Sequence, residues 1–343
     1  MSEPLVSILI PNYNHARYLD KCITSALRQT WKNTEIIVLD NQSSDDSVRV
    51  AAKYAKDGVR VCRNITNIRN LTYRVLAEQL SSGKYLILLG ADDALEPDFI
   101  EKAVQLMERH PNVGYVHGER DFVREDGSRI ELDPFFNCSF VCPGESIMPL
   151  YMVTTIAHPA QGVVRRAAFD ACGGYEMEID HMNADKSLWF YLSAVSDYAY
   201  IRDKCTRIRI SAGTETALTQ RNFQHPLLCH LIVKDMLRFA RQKNYPKVLV
   251  REKEALECLA QEFVGYAGGQ IRQDNFDGGL RYLRYAEVLS REIVDDVRWQ
   301  KLNDMCGQRQ RDDAYLDSID TAHLARKRGY APPENFTEIS FEA

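Results

Sequence analysis

Two adjacent aspartates, Asp92 and Asp93, directly follow the apolar run 85–89 and the short link 90–91. Neighbouring carboxylates repel each other, and a positive charge placed beside them relieves this repulsion. Mg²⁺ and Mn²⁺ bind carboxylate oxygens and are often shared with the phosphates of a nucleotide. An aspartate at this place can also cap a helix, and a helix is predicted to begin near Pro97. The pair by itself is therefore compatible with a cation site and with a helix cap.

The first half of the chain alternates between apolar runs and amphipathic segments. Apolar residues at spacings of three and four predict helices between the runs. The runs themselves predict strands at 6–10, 35–40, 59–62, 85–89 and 113–116. Near-continuous apolar strands separated by helices indicate an α/β fold, with a mostly parallel sheet covered by helices on both faces.

Polar residues follow three of these predicted strands. Asn12 comes after the first strand, Asp40 ends the second, and Asp92 and Asp93 come after the fourth. Parallel sheets of this kind bind ligands at the carboxyl ends of their strands. We therefore expect these distant side chains to meet at one edge of the sheet, which favours a binding site over a helix cap.

Composition and charge narrow the class of protein. The chain has 343 residues and a net charge of −5, so we expect about two domains and no nucleic-acid partner. It contains no apolar run of the roughly 20 residues that a membrane span requires. Nine scattered cysteines favour free thiols, and no secretion signal is evident at the N-terminus, so we expect a cytoplasmic protein. The lone Cys138-x3-Cys142 spacing does not predict a zinc site.

The pattern changes along the second half. Short strands and turns are predicted from about 118 to 217, with a hairpin turn at 125–128, and helices dominate from 218 to 343. The segment 234–253 is locally basic, which predicts either a solvated helix face or contact with an anionic membrane surface or a charged acceptor. We expect the helical region to mediate either homodimer formation or such peripheral membrane contact.

Three motifs in order resemble inverting family 2 glycosyltransferases with the GT-A fold. They are 6–14 (VSILIPNYN), 35–47 (EIIVLDNQSSDDS) and 83–93 (GKYLILLGADD), and the resemblance covers about residues 4–215. It implies a GT-A domain at 1–217, with a nucleotide-sugar half at 1–117 and an acceptor half at 118–217. A C-terminal α-helical domain and tail would follow at 218–343.

The resemblance also implies roles for individual residues. The nucleotide would contact six of them: Pro11, Asn12, Tyr13, Asp40, Arg74 and Asp92. Asp40 would accept a hydrogen bond from uracil, and the alternative role is a cap for the loop that follows it. Arg74 would face the nucleotide or lie on a helix surface. Asp93 would bind Mn²⁺ or Mg²⁺. Metal binding would depend more on this carboxylate than in many family members, because Gly90 stands where they have another aspartate.

A second region resembles the acceptor side of the same family. Asp185 lies at the position of the general base and is preceded by Ala184, where the family has glutamate. Asp180 is the alternative base, and the alternative role for Asp185 is a helix cap. Arg207 and Arg209 would face the diphosphate or form structural salt bridges.

These roles predict a UDP-sugar-dependent, inverting and metal-dependent enzyme. It would add single hexosyl or N-acetylhexosaminyl units to a glycan or lipid-linked acceptor during synthesis of bacterial surface polysaccharide, at the inner face of the membrane. Two other classes of protein are the alternatives. A nucleotidyltransferase would need a glycine-rich basic loop after the first strand, and 12–17 is not one. A non-catalytic nucleotide-sugar-binding scaffold is favoured by Gly90 and Ala184.

Overall fold

A computed structural model describes residues 3–68, 75–174, 184–210, 223–320 and 328–341. The chain forms two compact units. The first consists of Met1–Met148, Thr155–Ser211 and Arg328–Ala343, and the second of Pro149–Thr154 and Ala212–Lys327. The predicted domain boundary at 217 lies outside the described residues and stays a prediction.

The first unit is built on one mixed sheet. Its described strands are β1 (Val6–Asn12), β2 (Thr34–Asp40), β3 (Arg60–Arg63), β4 (Tyr85–Leu88), β5 (Ala94–Leu95), β6 (Val113–Val123), β7 (Arg129–Ile130), β8 (Phe140–Cys142), β9 (Gly162–Arg165), β10 (Asp197–Arg209) and β11 (Thr337–Glu338). The order across the sheet is β11-β8-β10-β6-β9-β4-β1-β2-β3, while β5 pairs with β10 and β7 with β6. All five predicted strands are therefore present, and the fifth is longer than expected.

Parallel pairing is concentrated where the ligand edge was expected. β4, β1, β2 and β3 run parallel to one another, and β6 runs parallel to β10. The antiparallel strand β9 lies between β4 and β6. This arrangement confirms the predicted α/β fold with a mostly parallel sheet in its nucleotide half.

Twelve α-helices occur among the described residues. They are α1 (Ala16–Leu27), α2 (Ser47–Ala52), α3 (Phe99–Arg109), α4 (Gly144–Val153), α5 (Arg166–Ala171), α6 (Ala184–Val195), α7 (Gln224–Lys243), α8 (Pro246–Leu249), α9 (Glu252–Arg272), α10 (Phe276–Leu289), α11 (Val297–Gln308) and α12 (Asp313–Asp320). Shorter helical turns lie at Ala55–Asp57, Pro159–Gln161 and Arg291–Asp295, and Val75–Leu80 forms a π-helix. None of the helices in the described ranges is both long and apolar enough to cross a bilayer.

The core of the first unit explains why its strands are so apolar. Helices α1 and α3 bury one side each against the sheet, with Leu19, Ile23, Phe99 and Val104 fully inside. Almost every residue of β1 is buried, which agrees with a strand covered on both faces. The sheet is thus a rigid frame, and its carboxyl edge holds the candidate site residues.

The second unit is a separate helical assembly. Helix α9 contacts α7, α10, α11 and α12 and buries an apolar face that includes Leu259 and Phe263. Several cations of the basic segment 234–253 pair with nearby carboxylates: Arg238 with Asp235, Arg241 with Glu252, and Arg251 with Glu254. This pairing favours the solvated-face interpretation of that segment.

Candidate active site

The ends of β1 and β2 form a polar corner. Asn12 and Asp40 are partners in the strand register, and Asn12 Nδ2 donates to Asp40 Oδ2 at 2.8 Å. Asp40 is 1% exposed, and its Oδ1 accepts from the backbone N of Ser43 at 2.9 Å. Arg63 Nε lies 3.5 Å from the same oxygen. Asp40 therefore anchors the loop that follows β2, which is the capping role considered for it.

An unpaired acceptor remains at this corner. Asn12 Oδ1 is buried and receives no hydrogen bond from the part of the chain that the structure describes. Burying a carbonyl oxygen without a donor costs free energy, so a ligand N–H that reaches it would be bound favourably. Nearby, Pro11 is half-buried and the Tyr13 side chain is 49% exposed. Arg74 lies outside the described residues, and its predicted role stays a prediction.

Asp92 and Asp93 lie beyond the end of β4 in different environments. Asp92 is half-buried, whereas Asp93 is only 4% exposed. The backbone N of Arg209 donates to Asp93 Oδ1 at 2.9 Å. Burial, together with the negative charge of Asp92, raises the pKa of Asp93 well above its ordinary value. The backbone N–H and the charge of Arg209 therefore stabilise the ionised form of Asp93 only in part.

His158 approaches the other oxygen of Asp93. Its Nδ1 lies 3.7 Å from Asp93 Oδ2, and it also accepts a long hydrogen bond of 3.4 Å from the backbone N of Ala160. That hydrogen bond places the ring proton on Nε2 and engages the one lone pair of Nδ1, so a cation bound at Nδ1 would replace this long contact. The surrounding protein and the charge of Arg120 lower the pKa of His158 to about 4, although 43% of its side chain is exposed. Asp93 Oδ2 therefore faces a neutral imidazole rather than a positive charge.

Gly90 makes room for this arrangement. A Cβ atom at position 90 would lie 2.6 Å from Asp93 Oδ2, closer than such contacts occur. The sequence predicts that Gly90 leaves the metal site without one aspartate ligand. In the structure, the absence of a side chain at this position permits Asp93 to turn its carboxylate toward His158.

Arg120 connects this region with Asp185. Its Nη1 donates to Ile156 O and Gln161 Oε1, on the turn that carries His158, while Nε is buried and unpaired among the described residues. Burial lowers the pKa of Arg120 to about 10, and the negative charges of Glu119 and Asp185 oppose that shift. The guanidinium is thus near enough to influence both His158 and Asp185.

Asp185 lies in the first turn of α6. Its Oδ1 accepts from the backbone N of Lys186 at 2.9 Å, and its side chain is half-buried. Burial raises its pKa, while Lys186 and Arg120 partly offset the increase. The alternative base Asp180 lies outside the described residues.

The two arginines on β10 have mainly structural contacts. Arg207 forms a bidentate salt bridge with Glu96 at 2.6 and 2.8 Å. Arg209 donates to Asp92 O and Arg124 O, and its guanidinium lies 4.1 Å from the centroid of the Tyr18 ring. The structural salt-bridge interpretation therefore holds for Arg207, while Arg209 lies beside the aspartate pair.

The donor set fits a divalent cation only in part. In the described ranges, no three His, Cys, Asp or Glu side chains are close enough to hold a metal ion by themselves. Asp93 Oδ2 and His158 Nδ1 provide two donors, and Mg²⁺ or Mn²⁺ commonly completes its shell with water and substrate phosphates. The fit is therefore to a cation that arrives with a phosphate-bearing ligand.

Sequence reasoning overlooked His158 and Arg120. Both lie in the stretch 118–185, where short strands and turns give weak periodic signals. A histidine followed by a proline just before a strand was the one available signal for His158. No local sequence pattern indicates a role for Arg120, because its burial results from tertiary packing.

Comparison with known proteins indicates the family of this chain. Residues 7–173 match the family model described as glycosyl transferase family 2. An uncharacterised glycosyltransferase of Rickettsia prowazekii is 28% identical over 230 residues, covering 64% of this chain and 68% of the relative. Chondroitin synthase of Escherichia coli is 26% identical over 64% of this chain, which corresponds to 31% of that longer protein.

Solved structures share the fold. Residues 1–349 of S. aureus TarS superpose with a TM-score of 0.57 at 13% identity, covering 94% of this chain and 92% of that one. A mannosyltransferase from Pyrobaculum calidifontis, solved with GDP-Man and Mn²⁺, gives a TM-score of 0.55 at 14% identity, covering 94% and 88%. At these identities the likeness concerns the fold alone.

Proposed function

Since this chain belongs to glycosyltransferase family 2, we propose that it transfers a single sugar from a UDP-sugar to a glycan or lipid-linked acceptor, with inversion and with help from a divalent cation. The observation that carries the proposal is the approach of His158 Nδ1 to within 3.7 Å of the buried Asp93 Oδ2, at the carboxyl edge of the sheet. The charge of Arg120 influences the pKa of both His158 and Asp185, which associates this cation-binding carboxylate with a second carboxylate suited to proton transfer.

Asp185 is the proposed general base. An attacking hydroxyl must lose its proton as it bonds to the anomeric carbon, and a carboxylate within reach accepts that proton. Burial raises the pKa of Asp185 and so makes it a stronger base than an exposed aspartate. Attack from the face opposite the leaving group inverts the anomeric configuration.

The corner formed by Asn12, Asp40 and Tyr13 is the proposed nucleoside pocket. Asn12 Oδ1 is available to accept an N–H from the base, and the exposed ring of Tyr13 offers a surface for stacking. Support for a nucleotide-sugar donor comes from TarS, which has been solved with UDP-GlcNAc. The choice of uracil rests on the family resemblance.

Asp93 and His158 would hold Mn²⁺ or Mg²⁺ next to the diphosphate. The cation, when bound, neutralises charge on the leaving diphosphate. Asp93 supplies Oδ2 because the Arg209 N–H already occupies Oδ1. A cytoplasmic location with peripheral membrane contact, and dimerisation through the helical unit, remain part of the proposal.

The test measures UDP release from a panel of UDP-sugars with Mn²⁺ or Mg²⁺, with calorimetric donor binding alongside. Asp185→Asn is expected to lower turnover by about 10² to 10⁴, the range for loss of a general base, and to leave donor affinity within twofold. Asp170→Asn, an exposed aspartate, is the matched control. Wild-type turnover in Asp185→Asn would remove that residue from the role. Donor binding without release by the wild type, with or without acceptor sugars, would favour the non-catalytic scaffold.

A further inference from the structure

A groove with a cavity volume of about 640 Å³ opens beside Asp92 and Asp93. Helix α1 forms one wall, and the turn between β6 and β7 forms the other. Leu95 and Pro97 lie between the two walls. We call this feature the α1 groove.

Three cations line the α1 wall of this groove. Arg17, Lys21 and Arg28 are separated by four and seven residues, which places them on one face of the helix. At 1.5 Å per residue, the row extends over about 16 Å. Arg129 lies on the opposite wall. All four side chains are exposed, and none forms an ion pair with another described residue.

The α1 wall also carries one carboxylate, Asp20, so three cations face one anion there. Asp20 accepts a hydrogen bond from Tyr54 Oη at 2.6 Å, and Asp126 accepts one from Ser128 N at 2.8 Å. Glu125 and Asp126 are confined to the tip of the β6–β7 turn, whereas the cations continue along the helix. In a chain of net charge −5, this row is a local concentration of unpaired positive charge.

The length of the row indicates the size of its ligand. A diphosphate spans only a few ångström, so it can meet the end of a row of about 16 Å but cannot occupy it. We propose that the α1 groove binds an extended anionic acceptor, a glycan chain that carries carboxylate or phosphate groups at intervals. Its end would reach the aspartate pair. This inference rests on the proposed function, because it names the acceptor of that site.

The concave shape favours a chain over a membrane surface. A flat bilayer can contact exposed cations on one helix, but Arg129 lies on the facing wall. A flexible glycan can enter between the walls and meet cations on both sides.

The test measures binding of fluorescent oligosaccharides by anisotropy. The probes are a chondroitin hexasaccharide, its carboxyl-reduced neutral counterpart and a glycerol phosphate hexamer. The triple variant Arg17→Glu, Lys21→Glu and Arg28→Glu is expected to bind at least one charged probe about tenfold more weakly than wild type. Binding of the neutral probe and UDP release without acceptor should stay unchanged. The charged probe that binds more tightly identifies the acidic group.

A matched triple variant controls for net charge. Lys53→Glu, Lys56→Glu and Arg109→Glu reverses three exposed cations that lie outside the groove and should bind every probe as wild type does. Arg129→Ala should weaken binding of the charged probe on its own.

Three results would overturn the inference. The first is equal binding of charged and neutral probes by the wild type. The second is equal loss of binding in both triple variants. The third is retained probe binding by the groove variant together with loss of binding to phosphatidylglycerol vesicles, which would make the row a membrane contact. Absence of UDP release alongside groove-dependent binding would refute the proposed function and leave the groove as an anion site.

Discussion

Asp93→Asn should make the cation-free protein more stable at pH values above the raised pKa of Asp93. The substitution removes a negative charge that is 4% exposed and lies beside Asp92, but the amide oxygen can still accept from Arg209 N. A buried charge without full compensation costs several kcal/mol, and the retained hydrogen bond offsets part of this cost. We therefore expect a gain of about 1–3 kcal/mol, which corresponds to roughly 3–9 °C in Tm for a domain of this size class.

The pH dependence follows from the direction of the pKa shift. Burial and Asp92 raise the pKa of Asp93 in the folded chain above its value in the unfolded chain. Between these two pKa values the folded chain binds more protons, so wild-type stability falls as pH rises through this window and levels off above it. The Tm difference between Asp93→Asn and wild type should be near zero at acidic pH, grow as pH rises and then reach a plateau.

Differential scanning fluorimetry from acidic to alkaline pH, with EDTA or with Mn²⁺ and UDP, provides the measurement. Mn²⁺ with UDP should raise the Tm of wild type and leave that of Asp93→Asn unchanged. Asp92→Asn is the matched control, and its smaller burial predicts a smaller gain. The reasoning is refuted if Asp93→Asn lowers the Tm in EDTA, or if Mn²⁺ stabilises this variant as much as it stabilises wild type.

Three further substitutions examine the surroundings of the pair. Gly90→Ala should reduce the affinity for Mn²⁺ in the presence of UDP, because the alanine Cβ would lie 2.6 Å from Asp93 Oδ2. EPR titration measures this affinity, and an unchanged value would contradict the observed orientation of Asp93. His158→Asn can still cap the turn that follows it and should weaken Mn²⁺ binding with little change in Tm, whereas His158→Ala should also lose about 1 kcal/mol of stability. If both variants bind Mn²⁺ as wild type does, His158 is only a cap. Glu96→Gln should lower the Tm by a few degrees, about 1 kcal/mol of stability, because it leaves the half-buried Arg207 without its carboxylate; an unchanged Tm in calorimetry would show that the pair contributes nothing.

The carboxyl edge of the sheet was predictable because its signals are local. Each apolar run is long enough to identify a strand, and each polar residue follows directly after one. Parallel topology then brings Asn12 and Asp40 together as register partners, even though 28 residues separate them. The direction of each side chain was not predictable, because it depends on neighbours from other strands.

The acceptor half was harder to predict for a physical reason. Its contacts join residues far apart in sequence, as between Glu96 and Arg207 or between Arg120 and Gln161. Such pairs leave no periodic pattern in the chain. The sequence predicts only short strands and turns between 118 and 217, but β10 extends from Asp197 to Arg209 because it pairs with β6, β8 and β5.

The contacts of Asp93 distinguish between a cation site and a helix cap, the two roles that the sequence allows for the aspartate pair. A helix cap would accept from the first N–H groups of α3, but the N-cap residue of that helix is Asp98. Asp93 accepts instead from Arg209 N, 116 residues away, and its second oxygen faces a histidine nitrogen. A cap stabilises a fold, whereas a buried carboxylate with one N–H donor destabilises it. An aspartate in this position therefore serves ligand binding rather than stability. If Asp93→Asn is more stable than wild type in EDTA and no longer gains stability from Mn²⁺, the experiment measures both the cost of the carboxylate to the fold and its contribution to cation binding.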